Sequence, residues 1–132
     1  MRLESLADLG DANNINFEPD ITYNKDKYEL KTQNMLKYLM ENKNVYKKED
    51  IAAFVHKYLA IGISTIAINT AKAEGINTIS LSGGVFVNKT ISRDILHNIE
   101  SQGLKVITNN KTPVGDGGTA LGQSCIALAS VI

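Results

Sequence analysis

Apolar positions recur along this chain at two spacings, three-to-four residues and two residues, and their alternation sets out an order of elements. Residues 2–9 place Leu3, Leu6 and Leu9 at near-helical spacing and predict a short helix. A polar loop, GDANNINFEPD, follows. In ITYNKDKYELK the period drops to two: Ile21 and Tyr23 alternate, Asn24 to Lys27 supply a turn, and Tyr28 and Leu30 resume, which predicts a hairpin. TQNMLKYLMEN returns to helical spacing, with Met35, Leu36, Leu39 and Met40 on one side and Thr32 as cap. Residues 47–74 predict the main helix, with Glu49 and Asp50 at the positive end of its dipole. Its apolar residues, from Ile51 through Phe54, Val55, Tyr58, Leu59, Ile63 and Ile66 to Ile68, cover more than one stripe, as expected of a helix buried between layers. Gly75 is a left-handed stop.

From there the pattern becomes strand, turn, helix, strand, turn, helix. Residues 76–81 form a β-branched apolar run of the kind found in covered parallel strands. Asn88 caps a helix reaching Gln102 with Ile91, Ile95, Leu96 and Ile99 inward, and Gly103 ends it. LKVIT is the next strand, NNKTPVGDGG a loop, and TALGQSCIALASVI a closing apolar helix. The order implies an α/β architecture with parallel strands in one domain, residues 1–132.

Composition narrows the function classes. Lys plus Arg and Asp plus Glu number 14 each, so no net field points to nucleic acid or an anionic membrane. No uninterrupted apolar run approaches the ~20 residues of a spanning helix, and the N-terminus lacks the basic and apolar regions of a signal peptide. A single cysteine, Cys125, forms no internal disulfide, which makes the cytoplasm the expected compartment. The opening on a helix without a leading strand, and the apolar C-terminus, give the expectation of a piece of a longer protein.

In parallel α/β sheets ligands gather beyond the carboxyl ends of the strands. Both such places here are glycine-rich: Gly83-Gly84 after the first strand and Gly115-Asp116-Gly117-Gly118 after the second. Paired glycines let a ring or phosphate lie on bare backbone, and the following helix N-terminus faces an anion. For either loop alone, positive φ in a turn is the simpler reading; two such loops on one sheet edge favour a ligand site. The dinucleotide fingerprint and the phosphate-binding G-x-x-x-x-G-K-[ST] are both absent. Asp116 reads equally as a metal ligand or as a cap of the last helix. His56 and His97 lack a second ligand at helical spacing and read as packing or surface; Cys125 reads as a buried inert thiol, and the KKED run at 47–50 as a solvated helix start. No nucleophilic triad can be assembled.

LSGGVFVN at 81–88, followed by GDGGTALGQ at 115–123, resembles the C-terminal region of the HypF-type hydrogenase-maturation carbamoyltransferases, with Pro113, Asp116, Gly117, Gly118, Ala120, Leu121, Gly122 and Gln123 in register with the second block. DIAAFVHKYLA and RLESLA are similar to upstream family segments, so the resemblance covers nearly the whole chain. It implies the second lobe of an actin-like ATPase (ribonuclease-H-like) fold, a small sheet of parallel strands flanked by helices. It also implies an enzyme that uses carbamoyl phosphate and ATP, through carbamoyl-adenylate, to carbamoylate the C-terminal cysteine of a HypE-type partner for cyanide-ligand synthesis. By the same resemblance Gly83, Gly84, Asn88, Gly117 and Gly118 line the nucleotide pocket and Asp116 is a ligand of a divalent metal shared with the other lobe. The family's remaining N-terminal modules and its paired histidine ligands have no counterpart here, and Gly115 stands where the family often has Asn. The expectation is therefore an isolated chain inactive in transfer, whose exposed cleft face pairs with another lobe or with a second copy. A stand-alone binding or assembly module of the same fold is the alternative. The tRNA threonylcarbamoyl-adenosine enzymes share the S-G-G-V turn but usually carry alanines at the positions of Phe86 and Val87.

Overall fold

The computed structural model describes the backbone of residues 2–109 and 111–130, and the side chains of all of these except Arg2 and Asp116. The elements are helix α1 (Arg2–Ala7), hairpin strands β1 (Ile21–Asn24) and β2 (Lys27–Leu30), helices α2 (Thr32–Glu41) and α3 (Lys48–Ala73), strand β3 (Thr78–Leu81), helix α4 (Lys89–Glu100), strand β4 (Lys105–Thr108) and helix α5 (Asp116–Ala129). Two 3-10 turns, Ala12–Asn14 and Gly84–Val87, lie before β1 and between β3 and α4.

The fold is α/β, with β3 and β4 pairing in parallel from Thr78 opposite Lys105 to Leu81 opposite Thr108. The hairpin is a separate antiparallel pair, turned by Lys25 and Asp26 with φ of 49° and 62°, the twist that a two-residue connection favours. α3 serves two cores. Phe54 and Tyr58 in its first half join Ile15, Met35 and Leu39. Ala60 and Ile68 further on join Leu81, Ile91, Ile95 and Ile99, so both sheet and α4 are seated on the same helix. Serving two cores is why its apolar residues fill more than one stripe.

α3 is also the one described helix long and apolar enough to cross a membrane by length and composition, a property hidden from a search for uninterrupted apolar runs. Its buried polar residues, Asp50, His56 and Ser64, are all hydrogen-bonded within the chain, as in the central helix of a packed domain.

Several expectations are corrected. α1 stops at Ala7, which is buried, while Leu3 and Leu9 are exposed. Thr32 does not cap α2; Lys31 holds the N-cap position without a side-chain bond, and only Met35 and Leu39 of the expected apolar side are buried. β3 is covered on one face only, Ser80 being exposed, and Ile107 of β4 is exposed beside it. α5 begins at Asp116, so Gly117 and Gly118 lie in its first turn rather than in the loop. Residues Thr119 to Ser130 are exposed throughout, and Cys125 with them. An apolar helix is buried only where something covers it, and nothing described in this chain covers α5.

Candidate functional site

Leu81 lies opposite Thr108 in the parallel register, so the two glycine loops leave the same edge of the sheet. They are joined directly, Gly83 N donating to Val114 O at 3.0 Å. Between them lies a cavity of about 370 Å³, walled by Ser82, Gly83 and Gly84 on one side and by Asn109, Thr112, Pro113, Val114, Gly115, Gly118 and Thr119 on the other. A second, more apolar cavity of about 220 Å³ is lined by Leu81, Phe86 and Leu96 and shares Asn109 and Val114 with the first.

The glycines separate into those the fold requires and those it does not. At Gly118 a Cβ would lie 2.4 Å from Pro113 O, a backbone atom that cannot give way, and at Gly117 it would press on the Pro113 ring at 3.3 Å. Gly118 lines the cavity and Gly117 does not. At Gly84 no atom lies within 4 Å of an added Cβ and the backbone is not left-handed. Neither steric contact nor a left-handed backbone requires glycine there, and Gly84 is one of the residues lining the cavity. That is the pattern of a backbone kept bare for something outside the chain.

The two helix N-termini differ as well. α4 is closed from within: Asn88 Oδ1 accepts from Ile91 N at 3.0 Å, and Glu4 Oε1 from α1 accepts from Lys89 N at 2.7 Å. The Lys89 amide holds the Glu4 carboxyl below the usual carboxylate range. Thr90 Oγ1 adds a bond to Asp8 Oδ1 at 3.2 Å. The expectation that α4 offers its amides to an external anion is thereby corrected, since a carboxylate of the same chain already occupies the place. α5 differs: its N-cap is Gly115, which supplies no side-chain cap. An anion in the cleft would meet the start of α5.

Asn88, expected in the nucleotide pocket, is absent from the described lining of the cavity. Its side chain caps α4 and donates from Nδ2 to His56 Nε2 at 2.9 Å, so it sets the loop's position rather than the cavity's wall. The metal assignment of Asp116 falls on a side chain outside the described ones. Among the described residues no group of three or more His, Cys, Asp and Glu converges on one point, so they do not compose a metal centre.

Two buried polar residues stand out: Asp50, against the expectation, and His56, for which the structure selects packing over surface. Asp50, read as part of a solvated run, is buried and accepts from Asp11 N and Asn14 Nδ2, both at 2.9 Å. The Asp11 amide, then the Asn14 amide, hold its carboxyl below the usual range. His56 is buried and bonded at both ring nitrogens. His97 is exposed, as expected. A groove of about 310 Å³ between α3 and α4 is lined by none of the glycine-loop residues. Its polar groups pair with one another, Asn98 Nδ2 with Ser64 Oγ at 3.0 Å and Lys72 Nζ with Gln102 Oε1 at 2.9 Å.

A parallel strand pair ending in two glycine loops, seated on one long helix, is the arrangement at whose strand ends α/β proteins commonly place ligands. The family model described as the second subdomain of the Kae1-like domain of carbamoyltransferases matches residues 1–123, and the chain belongs to this HypF carbamoyltransferase family. It is 38% identical over 127 residues to a probable carbamoyltransferase HypF of Methanocaldococcus jannaschii, covering 93% of this chain and 16% of that protein. Full-length HypF in a phosphate- and nucleotide-bound crystal form superposes with a TM-score of 0.79 at 31% identity over 95% of this chain and 16% of that one. HypF of T. kodakarensis superposes with a TM-score of 0.77 at 26% identity, over 96% of this chain and again 16% of the other. The chain thus spans about one sixth of the length of these relatives.

Proposed function

We propose that this chain is one wall of the nucleotide site of a cytoplasmic HypF-type carbamoyltransferase. The observation that carries this reading is Gly84, glycine without steric or left-handed cause at the lining of a cavity shared by both loops. Gly83, Gly84 and Gly115 would lie against the phosphates, with the N-terminal turn of α5 and Gly118 behind them. The apolar cavity floored by Leu81, Phe86 and Leu96 suits a flat base. That one HypF relative was crystallised with phosphate and nucleotide supports the same assignment. Asp116 would be a single ligand of a divalent metal whose other ligands come from elsewhere.

When bound, ATP would supply the adenylate that activates a carbamoyl group from carbamoyl phosphate. The acceptor in this reading is the C-terminal cysteine of a HypE-type partner in hydrogenase maturation. This chain's share is to bind and orient. The described lining places no His, Cys, Lys or carboxylate beside the hydroxyls of Ser82, Thr112 and Thr119, and the isolated chain is expected to be inactive in transfer. The exposed apolar residues Leu121 and Leu128, two turns apart on one side of α5, mark the face on which the first subdomain would close. A second copy of the chain on that face is the competing occupant.

The test titrates ATP, with and without magnesium, into this chain alone and into a polypeptide in which it follows a first subdomain. Binding is expected in the joined form and is expected to be lost in Gly84→Val, at a position where an added Cβ meets no atom within 4 Å. Equal affinity after Gly84→Val and after Asp116→Ala would refute the site. Self-association of the isolated chain, abolished by Leu128→Lys without gain of nucleotide binding on joining, would favour the stand-alone assembly module.

A further inference from the structure

We propose that His56 is a positioning residue for the glycine loop: its Nε2 orients Asn88, and Asn88 fixes the turn that carries Gly84. The inference deepens the nucleotide-site reading and rests on it for its functional consequence only.

His56 lies in α3, only 3% exposed, 32 residues before its partner in sequence. Its Nδ1 is 2.8 Å from Ala52 O. A carbonyl oxygen only accepts, so Nδ1 carries the proton and the neutral ring keeps its lone pair on Nε2. That lone pair accepts from Asn88 Nδ2 at 2.9 Å, while Asn88 Oδ1 accepts from Ile91 N at 3.0 Å. The two bonds fix the carboxamide in one orientation, oxygen to α4 and nitrogen to His56. The backbone of the same Asn88 closes the 3-10 turn, its N–H donating to Val85 O at 3.0 Å. Ser92 Oγ donates to Phe86 O at 2.9 Å, and Gly83 N to Val114 O at 3.0 Å. The turn is therefore held at its start by the second glycine loop, at its middle by α4, and at its end by the central helix through His56. An apolar side chain of similar size would fill the space yet leave Asn88 without its acceptor.

The variants His56→Leu and His56→Gln separate this role from packing, because the Gln side-chain oxygen can accept from Asn88 and Leu cannot. They are compared in the polypeptide carrying both subdomains. Amide exchange across residues 82–88 is followed by mass spectrometry, the imidazole tautomer of the wild-type protein by nitrogen NMR, and ATP–magnesium affinity by titration. His56→Leu should speed exchange in the turn and weaken ATP binding by about tenfold, the scale of one lost hydrogen bond. His56→Gln should restore both to within about threefold. A wild-type ring protonated at Nε2, or His56→Gln as impaired as His56→Leu, would overturn the proposal, as would an unchanged turn in His56→Leu. Should His56→Leu fail to fold, the tautomer and the Gln variant still decide. If the wild-type protein bound no ATP while turn exchange followed the predicted order, the nucleotide reading would fall and the positioning role would stand. If ATP bound with equal affinity in all three proteins, the site would stand and the positioning role would fall.

Discussion

The loop after β3 and the loop after β4 leave the same sheet edge, both rich in glycine, yet the chain supports them very differently. The first sits over the core built by Ile91, Ile95 and Ile99 on α3, and its helix N-terminus is closed by Asn88 and Glu4. The second leads into α5, exposed from Thr119 to Ser130 and without a side-chain cap. The first loop is therefore a finished piece of structure that presents a bare backbone. The second is a piece whose apolar helix has no cover among the described residues. On the proposed reading, a site shared between them would be held by the chain's own bonds on one side and completed by another subdomain on the other.

The largest test of that contrast is a pair of truncations. Ile95→Ala, at a fully buried position, should cost about 2–5 kcal/mol by denaturant unfolding. Leu128→Ala, at a residue 66% exposed, should change the isolated chain by no more than about 0.5 kcal/mol. In a polypeptide containing the first subdomain the Leu128 effect should rise above about 2 kcal/mol if that subdomain covers α5. A Leu128 cost above that size in the isolated monomer would erase the distinction between the two regions.

Next in size is Asn88→Ala. It removes the α4 cap and leaves His56 Nε2 without its donor, for an expected loss of about 1–3 kcal/mol in thermal or chemical denaturation. No substitution at Gly115 can have a matching effect through a lost side-chain cap, because that position has none.

How much of this was legible follows from the distance over which each cause acts. Local period and stop signals set the elements: Gly75, with φ of 66°, follows the C-cap of α3, whereas α4 ends at Glu100, before the expected Gln102, and Gly103, with φ of 76°, lies in the turn that follows. Asn88 was read as a cap because its partner is three residues away. Asp50 reads as solvated because it stands among charged neighbours while its partners lie 36 and 39 residues away in sequence. His56 reads as packing or surface and is packed, but its partner Asn88, 32 residues away, is not legible locally. Cys125 failed for another reason: apolarity states that a residue favours cover, not which chain supplies it. The GDGG loop failed at its boundary, since glycine signals a turn while contact with Pro113 lets Gly117 and Gly118 begin a helix.

Acid should reach the framework side through Asp50 and Glu4. Both carboxyls are held below their ordinary values by backbone amides, of Asp11 and Lys89 respectively. A carboxylate depressed in the folded state contributes stability that is present above its unfolded pKa, about 4, and lost as pH falls through the folded value. Unfolding midpoints should therefore be flat above about pH 5 and decline below about pH 4. Asp50→Asn should be less stable at neutral pH and lose part of that decline. A decline unchanged in Asp50→Asn and in Glu4→Gln would place its origin in other groups.

The smallest expected stability change is at the position that matters most to the comparison. Gly84→Ala puts a methyl group into open space on a backbone that is not left-handed, so unfolding should shift by no more than about 0.5 kcal/mol. It could even stabilise slightly, because alanine restricts the unfolded chain more than glycine does. Gly118→Ala is the control on the other loop, where the added carbon meets Pro113 O at 2.4 Å and must displace the start of α5. If Gly84 is bare for a ligand, Gly84→Ala will leave folding intact and weaken ATP binding in the two-subdomain polypeptide, whereas Gly118→Ala will disturb both. Unchanged ATP affinity in both Gly84→Ala and Gly84→Val would show that nucleotide does not use the open space at Gly84.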